Sequence, residues 1–153
     1  MPDRKDEDIR FMSIALREAQ LAYDKGEVPV GAVLVRDGNL LNAAHNLRES
    51  LKDPSAHAEI LALRAGGADS DSWRSSGATL YVTKEPCIMC AGAIVNSRIS
   101  RLVYGCRDLK AGGVDSLYKI MSDKRLNHQV EVFPGVLEDE CALILRKFFR
   151  ERR

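Results

Sequence analysis

The sequence predicts an α/β protein in three layers, one mixed five-stranded sheet with helices on both faces. Two patterns predict it. Short apolar runs alternate with amphipathic helical stretches along most of the chain, an order that buries a sheet between helices. Two of those runs flank an Asp-Gly pair, which reads as a tight antiparallel hairpin.

Element by element, Ile9, Met12, Leu16, Ala19 and Tyr23 recur at steps of three and four, one face of a first helix that ends near Gly26. The run from Val28 to Val35 meets Leu40-Leu41-Asn42-Ala43-Ala44 across Asp37-Gly38, giving two strands. A polar loop spans His45 to Lys52, and Asp53-Pro54 has the form of a cap followed by proline at the first helical position, so a helix is expected from Pro54 to about Ala65. Gly66, Gly67, Ser70, Ser72, Ser75, Ser76 and Gly77 mark a second loop. A strand follows from Ala78 to Thr83. Pro86 opens a helix carrying Cys87, Cys90, Ala93 and Ile94. Leu102-Val103-Tyr104 is a short strand, Leu117 to Met121 a short helix, and Val130 to Phe133 the last strand. Leu137, Cys141, Leu145 and Phe148 form the apolar stripe of a C-terminal helix.

A length of 153 residues suits one domain over 1–153, with no repeat, low-complexity tract or long linker. The 45% hydrophobic and 29% charged content is that of a folded globular chain, and no apolar stretch approaches the roughly 20 residues of a membrane span. The charged opening Met1-Pro2-Asp3-Arg4-Lys5-Asp6-Glu7-Asp8 lacks the apolar core of a secretory signal, and a cytoplasmic location is expected. There thiols stay reduced, so Cys87, Cys90, Cys106 and Cys141 read as metal ligands or core residues before disulfides. A net charge of +1 neither supports nor excludes a polyanionic partner, but its distribution is uneven: Arg146 to Arg153 hold five Lys or Arg, one Glu and two Phe.

His57-Ala58-Glu59 and Pro86-Cys87-Ile88-Met89-Cys90 carry the chemistry. Taken alone, a C-x-x-C pair is a redox motif, half of a closed zinc site or chance, and a lone histidine is more often a core residue than a ligand. Cysteines at i and i+3 share one side of a helix, and the free N–H groups at a helix N-terminus favour the thiolate that zinc requires. With His57 the set has three protein ligands, which leaves the fourth tetrahedral position for water, the pattern of a catalytic site. Zinc lowers the pKa of that water to about 7, making hydroxide available near neutrality. Glu59 is then the candidate to receive the proton and return it to the ring nitrogen and the leaving ammonia. H-x-E followed by P-C-x-x-C is the signature of the zinc-dependent nucleobase deaminases, in which hydroxide attacks C4 of cytosine or C6 of adenine.

Over nearly its whole length the sequence resembles the bacterial tRNA-specific adenosine deaminases of the cytidine deaminase-like superfamily. The resemblance rests on residues 27–33, 53–60 and 85–93, on Asn127-His128 and on Phe148-Phe149-Arg150; the tail from Gly105-Cys106-Arg107-Asp108 onward favours the tRNA branch. It implies a cytidine-deaminase-like fold, one Zn2+ per chain, a homodimer, and conversion of the wobble adenosine of a tRNA anticodon loop to inosine. It also implies that Asn46 hydrogen-bonds the target nucleoside, that Asp108 lies beside its ribose, and that Phe149 and Arg152 meet neighbouring nucleotides. Two positions depart from the family pattern: Lys84 stands where an apolar residue such as leucine is common, and Cys106 where a small residue is frequent. Two other readings compete, a deaminase of a free base or nucleoside and a zinc-stabilised RNA-binding module. Glu59 argues against the module, since a closed structural site has no use for an adjacent acid. The aromatic and basic tail argues against a free base, because RNA recognition stacks splayed bases on aromatic side chains.

Overall fold

The computed structural model describes residues 4–68 and 72–152. Ten elements follow in order: α1 (Arg4–Asp24), β1 (Gly31–Arg36), β2 (Asn39–His45), α2 (Ala58–Ala68), β3 (Ala78–Lys84), α3 (Ile88–Asn96), β4 (Arg101–Cys106), a 3-10 turn (Ile120–Ser122), β5 (Glu131–Pro134) and α4 (Glu138–Arg150). The strands form one sheet in the order β2-β1-β3-β4-β5. β1 is antiparallel to both β2 and β3, whereas β3, β4 and β5 run parallel. The expected mixed sheet of five strands is therefore present.

Alternation along the strands divides the core in two. Ala32, Leu34, Leu80, Val82 and Leu102 face a layer that includes Ala58, Ala62, Ala91 and Ile94 of α2 and α3. Val33, Val35, Tyr81 and Val103 face Phe11, Met12 and Ala15 of α1 and Cys141 of α4. Period-two alternation with both faces buried is what a sheet between two helical layers requires. α1 rests so closely on β1 that a Cβ at Gly31 would stand 1.9 Å from the Ala15 carbonyl oxygen, so only glycine fits there. A buried network also ties α1 to the sheet: the Arg101 guanidinium donates to both oxygens of Asp8 at 3.1 and 2.8 Å, and the Tyr81 hydroxyl donates to the same carboxylate at 2.6 Å. In α4, Glu138, Asp139 and Glu140 occupy the first turn and Lys147 and Arg150 the last, which complements the helix dipole.

The hairpin turn is as expected. Asp37 and Gly38 both have positive φ, 52° and 75°, the conformation whose twist matches that of the flanking strands. Four expectations need correction. The Asp53-Pro54 segment forms a turn, with Ala56 N–H donating to the Asp53 carbonyl and the Asp53 carboxylate accepting from Ser55, so α2 starts at Ala58. Proline at the second position of a turn satisfies the same local preferences as proline opening a helix. Gly66 and Gly67, expected in a loop, continue α2, while Ser70 lies outside the described residues. The helix expected from Leu117 to Met121 is a turn followed by the short 3-10 segment, because Leu117 and Tyr118 both donate back to the Gly112 carbonyl. Val28 to Val30 precedes β1 and curls, with Val30 N–H donating to the Val28 carbonyl. Among the described residues no helix is long and apolar enough to cross a membrane.

Candidate metal centre and substrate pocket

His57 and Cys87 occupy equivalent places. Each stands immediately before a helix and supplies the carbonyl that accepts the first helical bond, from Leu61 N–H and Ala91 N–H. Neither is inside its helix, which is why the two side chains can turn toward one another across the gap between α2 and α3. Cys90 follows one turn into α3 and is buried. The His57 Nδ1 atom lies 3.7 Å from Cys87 Sγ and 3.5 Å from Cys90 Sγ, and the three ligand atoms fall within 4.8 Å of one another. A tetrahedral zinc, with Zn–N of about 2.0–2.1 Å and Zn–S of about 2.3 Å, requires an N···S separation of about 3.6 Å. The donor set and its spacing thus fit a zinc site with three protein ligands.

Electrostatics favour a thiolate at Cys87. A hydrogen bond from Cys90, helped by His57 and opposed by burial, holds the Cys87 thiol down to about 3, while the same bond and burial push Cys90 far up. His57 is raised by its hydrogen bond to Cys87 against the effect of burial. Glu59 is 4% exposed, and burial is the chief cause that raises its carboxyl above the usual range. Although Glu59 is two residues past His57, it lines the same cavity as His57 and Cys87.

These groups sit in a cavity of about 290 Å³ whose lining includes Val28, Asn46, Glu59, Lys84, Asp108 and Phe149. Asn46 is 7% exposed and held at both ends, its Nδ2 donating to the Val28 carbonyl at 3.2 Å and its Oδ1 accepting from Arg48 N–H at 3.1 Å. Asp108 Oδ1 accepts from the backbone of Lys110 and Ala111, and Oδ2 pairs with Lys84 Nζ at 3.1 Å. Burial raises Asp108, but Lys84 and the backbone donors outweigh it and hold the carboxyl below its ordinary range. Phe149 is 48% exposed at the rim, set edge-on to the buried Phe148. Arg152 also reaches the outer groove along α4, yet its guanidinium lies 3.5 Å from the centre of the Phe148 ring and donates to the Phe148 carbonyl. Arg153, part of the basic tail, lies outside the described residues.

Two residues without a role in the sequence reading hold the pocket loops. The Glu27 carboxylate, 1% exposed, accepts from Glu49 N–H, Ser50 N–H and the Ser50 hydroxyl, fixing the turn that follows Asn46. Glu85, 2% exposed, accepts from the backbone of Asp108, Val114, Asp115 and Ser116 and from the Ser116 hydroxyl, so the segment 108–116 wraps around one acid. A Cβ at Gly112 would stand 2.3 Å from that carboxylate, so glycine is required there for the wrap to close. The available signal was an acid at the inner end of an apolar strand, since buried carboxylates need several donors.

Residues 6–153 match the profile of the MafB19-like deaminase family. The chain is 45% identical over 153 residues to a tRNA-specific adenosine deaminase of Streptococcus pyogenes serotype M1, covering 100% of this chain and 90% of the relative. It is 49% identical over 147 residues to the tRNA-specific adenosine deaminase of Bacillus subtilis (strain 168), covering 96% and 91%. A solved structure from work on A-to-I editing by tRNA deaminases at the wobble position of transfer RNA matches with a TM-score of 0.86 and 45% identity, over 89% of this chain and 99% of that one. A guanine deaminase from Nitrosomonas europaea shares the fold at a TM-score of 0.80 and 24% identity, over 92% of this chain and 83% of that one. Similarity along the full length, together with the shared three-layer architecture, means that the chain belongs to the MafB19-like deaminases and has their cytidine-deaminase-like fold.

Proposed function

We propose that this protein is a hydrolase that converts adenosine to inosine at the wobble position of a tRNA anticodon, as a single deaminase domain with one zinc ion held by His57, Cys87 and Cys90. The observation that carries the proposal is the ligand triangle beside the buried acid Glu59, at the base of a cavity that continues into a groove lined by Lys110, Arg146, Arg150 and Arg152. A free base needs no such groove. The similarity to tRNA-specific adenosine deaminases of two bacteria supports the same substrate.

When bound, zinc supplies Lewis acidity that lowers the pKa of a coordinated water to about 7. The remaining work belongs to the chain. Glu59 takes one proton from the attacking water and delivers it to the adenine ring nitrogen, then carries a second to the departing amine, so that water and adenosine become inosine and ammonia. Burial raises the Glu59 carboxyl toward the pH of use, which suits a group that must accept and release protons in turn. Asn46, its amide already oriented by Val28 and Arg48, hydrogen-bonds the nucleoside, and Asp108 lies beside the ribose. Phe149 offers an exposed face for stacking of a neighbouring base, and Arg152 meets the anticodon strand.

The reading includes a homodimer in the cytoplasm. Exposed Ile88 and Met89 at the start of α3 and exposed Leu117 and Tyr118 in the adjacent turn support it as an apolar surface for a second copy, testable by light scattering. The activity is tested by incubating the protein separately with a tRNA bearing a wobble adenosine, with free adenosine and with free cytidine. Inosine in the tRNA alone is expected; uridine, or inosine from free adenosine at a comparable rate, would instead make this a deaminase of small substrates.

A further inference from the structure

We propose that Lys84 binds a phosphate of the substrate strand at the point where the strand passes from the groove along α4 into the metal-binding cavity, with Asp108 as the anchor that aims its ammonium. The inference rests on the reading that the substrate is RNA. Nothing in the ligand triangle or in Glu59 requires it.

Lys84 is the last residue of β3, on the sheet's inner rim. The cavity that holds His57, Cys87 and Glu59 and the outer groove that holds Arg146, Arg150 and Arg152 share four lining residues: Lys84, Asp108, Ala111 and Phe149. A strand that puts one base in the cavity and leaves its neighbours in the groove must cross this junction. Phe149 is the aromatic surface there and Lys84 the cation, so a base and the phosphate next to it meet different chemistry within one step of the chain.

The bonding is equally specific. An ammonium has three donors, and Lys84 directs it at Asp108 Oδ2, 3.1 Å away. Donors remain for an incoming phosphate oxygen. Asp108 cannot swing away to follow the lysine, because its Oδ1 accepts from the backbone N–H groups of Lys110 and Ala111 and its own N–H donates to the buried Glu85. A flexible four-carbon stem is thereby tethered at one position, with the Lys84 side chain 28% exposed and that of Asp108 14% exposed. As a stability device such a partly exposed pair contributes little, because solvent screens it and both side chains lose freedom in forming it. As a binding device it lowers the freedom that the lysine would otherwise lose on meeting phosphate. Lys110 and the arginines of the outer groove stand on a loop and at the end of α4, and Arg48 lines the cavity alone; Lys84 is the cation that lines both.

A simpler possibility is that Lys84 only neutralises Asp108, so that the strand is not repelled. The two differ in what happens when the acid loses its charge. The test measures binding of the zinc-loaded full chain to an RNA anticodon hairpin by fluorescence anisotropy across a range of salt, and deamination of the same hairpin in parallel. Lys84→Met should weaken binding several-fold and flatten the log-log salt dependence by about 0.7, the contribution of one phosphate on single-stranded RNA. The same flattening should appear in the Asp108→Asn background, with a smaller loss of affinity because the lysine is no longer aimed, and Lys84→Arg should keep the parental slope. Thermal melting of each variant confirms that it is folded. A slope unchanged by Lys84→Met, or changed only while Asp108 is present, overturns the proposal, as does a parent that binds no RNA. A parent that binds the hairpin without deaminating it would refute the proposed function while leaving the salt comparison intact.

Discussion

Replacing Glu85 by glutamine changes one atom of a buried side chain whose partners are all in segment 108–116, and the structure says what that atom is worth. Oε2 accepts from the N–H groups of Val114, Asp115 and Ser116 at 3.1, 2.8 and 3.0 Å, and Oε1 accepts from Asp108 N–H at 3.0 Å and from the Ser116 hydroxyl. Glutamine keeps one oxygen, best placed on the three backbone donors. Its NH2 then faces Asp108 N–H and Ser116. The hydroxyl can turn and accept; the Asp108 N–H cannot, and is left buried without an acceptor. One unmet donor costs about 1–3 kcal/mol, and the three retained bonds lose their ionic partner, so a loss on the order of 2–4 kcal/mol follows. For a chain of this size that lowers Tm by roughly 4–16 °C. The pH dependence sharpens the test. Burial raises the Glu85 carboxyl, but the donors of Ser116, Asp115 and Asp108 outweigh it and hold it below its ordinary range. A group depressed on folding stabilises above its unfolded pKa, about 4.3 for glutamate, and loses that contribution as pH falls through the lower folded value. The Tm gap between parent and Glu85→Gln should therefore be widest near pH 7 and close progressively below about pH 4.3. A gap under about 1 °C at pH 7, or one that does not change with pH, would refute the account of Glu85 as the hub of segment 108–116.

Four further outcomes are expected. Cys87→Ser or Cys90→Ser should remove both zinc and activity, and full zinc by metal analysis in either variant would overturn the ligand assignment. Glu59→Gln should keep the fold, zinc and RNA binding while slowing deamination by about 10² to 10⁴-fold; turnover within a few-fold of the parent would remove Glu59 from proton transfer. Arg152→Ala should weaken RNA binding with zinc unchanged and flatten the salt dependence by about 0.7 if its guanidinium leaves Phe148 for a phosphate, whereas an unchanged affinity would assign it to packing on Phe148 alone. Asp108→Asn should narrow the difference in deamination rate between matched RNA and all-DNA hairpins, chiefly by improving use of DNA, since Lys84 offsets the carboxylate's repulsion of phosphate for both strands and a ribose 2′-hydroxyl adds a hydrogen bond to it that deoxyribose cannot make; an identical RNA-to-DNA ratio in both proteins would place the discrimination elsewhere.

What was legible in the sequence was local or chemically rare. Asp37-Gly38 declares its turn because few residue pairs accept positive φ twice in succession, and the strand alternation of β1 and β3 follows from burial on both faces. The clustering of His57, Cys87 and Cys90 was legible because the residue types and the i, i+3 spacing serve few other purposes. Asp53-Pro54 misled because a turn and a helix start ask the same of those two residues; the Asp53 carboxylate decided it by bonding Ser55. Glu27 and Glu85 were silent for another reason. Their partners are backbone N–H groups as far as 23 and 31 residues away, and a backbone donor leaves no mark in the sequence. The pairing of Lys84 with Asp108 likewise joins the ends of the parallel neighbours β3 and β4, visible only once those strands are side by side.

The polarity of the sheet assigns the two rims of the molecule to different uses. Because β1 runs opposite to β3, the start of β1 and the ends of β3 and β4 share one rim, where His57, Cys87 and Asp108 gather. The hairpin turn at Asp37 and Gly38, the starts of β3 and β4 and the first residues of α1 gather at the other, around Arg4, Glu7 and Arg101. A tether or reporter domain attached ahead of α1, or a label placed in the hairpin, therefore projects from the end remote from the pocket. One attached after α4 emerges beside Phe149 and Arg152, in the path of an arriving polynucleotide. Immobilisation through the hairpin rim should leave the groove along α4 open, and immobilisation through the pocket rim should obstruct it.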